Sequence, residues 1–142
     1  MNKVVLDANI FLKLVKREND SEQARMLFKS IAREVISILV PHVVVNEVIH
    51  VCERDKLDIE AVCSLFKGLI ELNLSFVPVT SKLIDNTVSI TQEGHEKSGY
   101  PTFSDSMYHA IAIQEDALFI TADKRHYEKT KHLGNIRLLK DI

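Results

Sequence analysis

A chain of 142 residues holds one domain with a true core and is too short for two, while 46% hydrophobic and 27% charged residues exclude a disordered or fibrous polypeptide. The 18 Lys and Arg against 20 Asp and Glu leave a formal charge of −2, which excludes a global polycation; any contact with nucleic acid has to be local or helped by metal ions. Four glycines and three prolines are too few for an all-β fold rich in tight turns, so helices are expected to dominate.

Strand and helix signals alternate along the chain. Residues 3–6 (KVVL) form a short β-branched run ending at Asp7, and 8–17 (ANIFLKLVKR) carry apolar residues at helical spacing. Asp20 and Gln23 have capping-box spacing ahead of a second helix, SEQARMLFKSIARE, whose Ala24, Leu27, Phe28 and Ile31 share one face. VISILVP at 35–41 reads as the second strand; Pro41 ends it and starts the helix that contains Glu47. Asp58 caps a helix over 59–72, and LSFVPV at 74–79 is a third strand. A helix from Ser81 to about Ile90 precedes TQEGHEKSGYPTF, the longest stretch without periodicity and a candidate mobile loop. Ser104 caps a helix to about Glu115, ALFIT at 117–121 is a fourth strand, Asp123 starts a last helix, and NIRLL at 135–139 is a fifth strand. Near-continuous apolar strands separated by helices predict a parallel sheet covered on both faces, a three-layer α/β/α sandwich of about five strands.

No apolar run approaches the length of a membrane span, and Asp7 and Asn9 interrupt the N-terminal stretch where a signal peptide needs an unbroken apolar core. A cytoplasmic protein with no membrane partner is expected. Cys52 and Cys63 both fall inside helix-like stretches and read as buried thiols rather than a disulfide framework or zinc ligands.

Four acids stand at informative places. In a parallel sheet the residues just after the strand ends gather along one edge, where ligands bind at the point of reversed strand order. Asp7 and Asp123 occupy such ends, although each also serves as the N-cap of a following helix. Glu47 lies among Val43, Val44, His50 and Val51 on an apolar stripe, where a buried carboxylate needs a cation, a metal or a cavity; a salt bridge or a place at the stripe's margin is the plainer alternative. Asp105 opens a helix, a position the helix dipole favours by itself. Together the four make a hard-oxygen set suited to Mg²⁺ or Mn²⁺. Such ions lower the pKa of a bound water and shield a phosphodiester, chemistry that needs no side-chain nucleophile, and no convincing Ser/His/Asp or Cys/His arrangement is present.

The segments VVLDANIFL, VVNEVIHV, TFSDSMYHAIAI and LFITADKRHY resemble the four acidic motifs of PIN-domain nucleases, in order and across almost the whole chain. The resemblance implies a single PIN-like domain over 1–142 and a metal-dependent endoribonuclease, most like the VapC-type toxins of toxin–antitoxin pairs. It carries Asp7, Glu47, Asp105 and Asp123 over as catalytic metal ligands or their close supports for Mg²⁺ or Mn²⁺, with Asn9 and Thr121 as polar residues that hold the acids and waters. It also implies an RNA substrate, an antitoxin protein that restrains the activity, and a homodimer. His126 departs from the pattern, since an aromatic residue commonly follows the last acid and Tyr127 comes one step later.

Lys13, Lys16 and Arg17, with Lys124 and Arg125, flank the first and last acids and are candidates for contact with RNA phosphates; a solvated face is the alternative. His109 and His50 share helix faces with Asp105 and Glu47 and suit core or supporting roles better than ligation. Ile10, Phe11, Leu12, Leu14 and Val15 crowd the helix after Asp7, which suggests either a surface for another chain or full burial against the second helix. Two other readings stand beside the toxin: a non-catalytic α/β binding or regulatory module, and a PIN nuclease of RNA processing. A receiver domain is disfavoured because its acid cluster is missing here, and a DxD phosphatase is disfavoured because Asn9 stands at the second position after Asp7.

Overall fold

The computed structural model describes residues 2–94, 96, 97 and 99–142. Five strands, β1 (Lys3–Leu6), β2 (Ser37–Val40), β3 (Leu74–Phe76), β4 (Leu118–Thr121) and β5 (Ile136–Leu138), form one sheet in the order β3-β2-β1-β4-β5. Every neighbouring pair is parallel. Successive side chains on a strand point to opposite faces, and Val4, Val5 and Leu6 are all completely buried, so helices cover both faces of β1 as the apolar runs predict. The α/β/α sandwich with five parallel strands is therefore present. The chain winds outward from β1 to β3, then returns to place β4 on the other side of β1, so the order reverses between β1 and β4.

Among the described residues, seven α-helices fill the connections: α1 (Ala8–Leu12), α2 (Ser21–Glu34), α3 (Val43–Asp55), α4 (Ile59–Leu72), α5 (Ser81–Thr91), α6 (Phe103–Gln114) and α7 (Lys124–Thr130). Several bounds differ from the sequence-based expectation for local reasons. The first helix stops at Leu12, and the Lys13 side chain turns into ion pairs with Asp20 and Glu18 at 2.8 and 3.4 Å. Asp20 consequently makes no side-chain cap on α2; Ser21 ties that corner instead, accepting from the Glu18 amide at 2.8 Å and donating to the Lys16 carbonyl at 2.9 Å. Val35 does not begin β2: it ends α2 in the left-handed region with φ 54° and is 80% exposed. The cap of α6 is Thr102, whose Oγ1 accepts from the Asp105 amide at 3.2 Å, rather than Ser104. β3 is shorter than LSFVPV, and Leu139 belongs to a short 3-10 turn after β5.

Ile10, Phe11 and Leu12 are buried, and Leu14 and Val15 pack partly buried against the same core, so most of this apolar crowd is used inside the molecule and α1 itself presents no apolar face to solvent. Cys52 is buried and Cys63 half-buried, both as free thiols. The aperiodic stretch 91–103 includes His95 and Ser98, which lie outside the described residues; near its ends His132 donates to Glu93 at 3.3 Å and Lys129 to the Tyr100 carbonyl at 3.3 Å. Among the described residues no helix is long and apolar enough to cross a membrane.

Candidate active site

The reversal of strand order creates the place where the acids meet. Asp7 directly follows β1 and Asp123 follows β4 by one residue, and these two strands are neighbours with Leu6 opposite Ile120. Thr121, the last residue of β4, links them: its hydroxyl donates to Asp7 Oδ2 at 2.8 Å and accepts from the Asp123 amide at 3.0 Å. Both aspartates cap the helices that follow them, Asp7 Oδ1 accepting from the Ile10 amide at 3.3 Å and Asp123 Oδ1 from the His126 amide at 3.1 Å. The capping and site readings are thus compatible, since a carboxylate has about four acceptor positions. Asp105 sits in the first turn of α6. Glu47 arrives from α3, where Tyr108 of α6 donates to its Oε1 at 3.0 Å. Asn9 is exposed, and among the described residues no hydrogen bond joins its side chain to an acid.

The electrostatics tie the four segments together. Asp7 is only 5% exposed, and burial pushes its carboxyl up to about 6; the charges of Asp105 and Asp123 push the same way, against the hydrogen bonds from Thr121 and Ile10. Burial also raises Asp105, with a further rise from the Asp123 carboxyl beside it and a partial offset from the Thr102 hydroxyl and the Lys129 ammonium. Glu47 is raised by burial and by Asp105, while the Tyr108 hydroxyl opposes the rise. Each of these three groups is harder to ionise than an ordinary carboxylate, chiefly because it is buried and further because like charges stand nearby, both of which a cation would relieve. Among the described residues no three His, Cys, Asp or Glu side chains converge tightly enough to hold a metal ion alone. An open, all-oxygen set of this kind fits Mg²⁺, which keeps several waters and takes only one or two carboxylates directly.

The sequence matches the PIN domain family over residues 4–132. The chain belongs to the PIN domain family. No curated protein matches it. Among solved structures, the PIN domain is similar to the DNA-bound VapBC from Salmonella typhimurium (22% identity, 97% of each chain covered, TM-score 0.67). It is similar to a toxin–antitoxin complex from Klebsiella pneumoniae (14% identity, 96% of this chain and 97% of the other, TM-score 0.63). A third is VapC20 of Mycobacterium tuberculosis, a sarcin-ricin loop cleaving toxin (14% identity, 80% and 83% covered, TM-score 0.62). At these identities the likeness is one of fold.

Around the acids, this PIN domain carries two buried histidines. His109 and His126 are 0% and 2% exposed. Nε2 of His109 lies 2.7 Å from the Gly134 carbonyl, which makes it the donor and leaves its Nδ1 to accept from His126 Nε2 at 3.4 Å. The departure at 126 is therefore filled by a ring that joins α6 to α7 and packs edge-on against Phe119 at 5.8 Å. His50 is exposed. Of the basic candidates, Lys13 is withdrawn from solvent by its ion pairs, because a buried ammonium requires carboxylate partners, and Lys16 pairs with Asp55 at 3.1 Å. Lys124 and Arg125 are exposed, and Lys124 lines, with Lys140, Asp20 and Ala122, a cavity of about 150 Å³ beside the last acid. Tyr108 escaped the sequence reading; its signal was a phenol hydroxyl three residues after Asp105, on the same helix face as that acid.

Proposed function

We propose that this PIN domain is an endoribonuclease dependent on Mg²⁺ or Mn²⁺, acting as the toxin of a toxin–antitoxin pair. The observation that carries the reading is the set of four carboxylates, Asp7, Glu47, Asp105 and Asp123, from four separate segments, in which burial raises Asp7, Glu47 and Asp105 and the charges of Asp105 and Asp123 add to the rise at their neighbours. These residues would hold the cation. When bound, it supplies a hydroxide-like water near neutral pH and charge compensation at the scissile phosphate. Thr121 keeps Asp7 and Asp123 in a fixed relation through its two hydrogen bonds, and the caps at Ile10 and His126 orient the same carboxylates. Lys124 and Arg125, exposed directly after Asp123, suit contacts to neighbouring phosphates of the RNA.

A chain with net charge −2 attracts RNA only at such local points, so substrate binding should be sensitive to salt. The likeness in fold to a toxin–antitoxin complex from Klebsiella pneumoniae supports an inhibitory antitoxin as partner, working in the cytoplasm. A homodimer remains part of the reading, without α1 as its surface. The whole of 1–142 acts as one domain. The test is cleavage of single-stranded or loop RNA by the purified protein with Mg²⁺ or Mn²⁺. Asp7→Asn and Asp105→Asn should each lower cleavage by orders of magnitude with the fold intact, and EDTA should abolish it. Full activity of either variant, or in EDTA, overturns the assignment.

A further inference from the structure

Glu47 reaches the acid cluster from α3 on a long, flexible side chain, and it is only half-buried. Left to itself, such a carboxylate would sample many rotamers, and a metal site gains affinity when that freedom is removed beforehand. The group that removes it lies on another element. The Tyr108 hydroxyl donates to Glu47 Oε1 at 3.0 Å, and Tyr108 itself has nowhere to go: it is 1% exposed, with its ring stacked on Phe119 at 6.0 Å and 13°. α6 thus contributes Asp105 to the cluster and, one turn later, the donor that fixes a second acid.

We propose that Tyr108 is a positioning residue for the cation, holding Glu47 with Oε1 occupied and leaving Oε2 as the oxygen that can bind a divalent ion. The proposal rests on the metal-site reading above. A carboxylate oxygen can only accept, so the hydroxyl is the donor in this bond. A purely structural role is the competing explanation, because a buried tyrosine hydroxyl needs some acceptor. The two accounts differ in what the bond does for Glu47.

Mn²⁺ binding to the full chain, followed by the electron paramagnetic resonance of the free ion, separates them. Tyr108→Phe keeps the ring against Phe119 and should weaken Mn²⁺ binding by about 10- to 100-fold, the usual scale for a partner of a metal ligand. Glu47→Gln should weaken it at least as much, and the double variant should bind no worse than Glu47→Gln, because Tyr108 acts through that carboxylate. Turnover of RNA at saturating Mn²⁺ should fall far less in Tyr108→Phe than turnover at limiting Mn²⁺. Unchanged binding in Tyr108→Phe beside weakened binding in Glu47→Gln, or additive losses in the double variant, overturns the positioning role. Unchanged binding in both overturns the metal-site reading itself. Should Tyr108→Phe fail to fold, fluorotyrosine incorporated in the unaltered chain answers instead: the Tyr108 fluorine resonance should shift on Mg²⁺ addition and stay put in Glu47→Gln. A resonance indifferent to Mg²⁺ in the unaltered chain overturns the proposal.

Discussion

Asp7 ionises against its surroundings, and His126 protonates against them. A carboxyl held at about 6 rather than 3.8 costs the fold about 3 kcal/mol once charged, a penalty absent below about pH 4 and complete above pH 6. His126 is pushed down by burial and by His109 to about 4 from 6.5. The native state resists its protonation, so its contribution is present above 6.5 and about 3 kcal/mol is lost as pH falls to 4. The two slopes oppose one another in nearly the same window. In metal-free buffer these two contributions should therefore largely cancel between pH 4 and 6. Asp7→Asn should be more stable at pH 7 by up to about 3 kcal/mol and lose that advantage towards pH 4. Urea titrations across this range in EDTA read both effects, and parallel curves for the two proteins would contradict the assignment.

Among the elements, α2 ends in a conformation its sequence does not favour. Val35 adopts φ 54° and ψ 49°, where a β-branched residue is crowded, at a cost of roughly 1–2 kcal/mol, and with 80% exposure it recovers little by packing. Val35→Asn, which tolerates the left-handed region, should raise stability by about 0.5–1 kcal/mol, visible as a higher melting temperature with unchanged helix content; a lower one would mean the side chain is anchored. The same residue shows where local reading stops. Asp58 capped α4 as its spacing predicts, accepting from the Ala61 amide at 3.1 Å, because nothing else competes for its carboxylate. Asp20 has comparable spacing, yet Lys13, seven positions earlier, takes its side chain. A hydrophobic run likewise read Val35 as strand, since periodicity registers apolarity and cannot register a sign change in φ.

At the scale of the whole molecule, the parallel sheet was legible because apolar runs alternate with helical patterns. So were the ends of β1 and β4 that carry Asp7 and Asp123. What sequence could not show was which side chains meet across elements: the 3.0 Å bond from Tyr108 to Glu47 spans 61 positions, and the Thr121 to Asp7 bond spans 114. Crowded apolar residues after Asp7 carried two meanings, and packing chose burial. An inhibitory partner and a homodimer are thus predictions about surfaces other than α1. Co-expression with the adjacent reading frame should yield a co-purifying small protein that blocks RNA cleavage, and light scattering should give twice the chain mass. A strict monomer at high micromolar concentration removes the dimer, and full cleavage activity in the presence of the neighbouring product removes the antitoxin.

The seat of β1 between β2 and β4 has a consequence for the chain while it is being made. β2 follows soon after β1, but the partner on its other side begins at Leu118, opposite Val4. Throughout most of synthesis, one edge of the innermost strand stands unpaired, an apolar ladder open to mispairing with other nascent chains. Over that same interval Asp7 lacks the Thr121 hydroxyl and Asp123 has not emerged. A ribosome-bound fragment ending before Ala117 therefore carries Asp7, Glu47 and Asp105 but neither Asp123 nor the Thr121 hydroxyl that ties Asp7 to it, so the pairing of β4 with β1 completes both the innermost strand and the set of four acids.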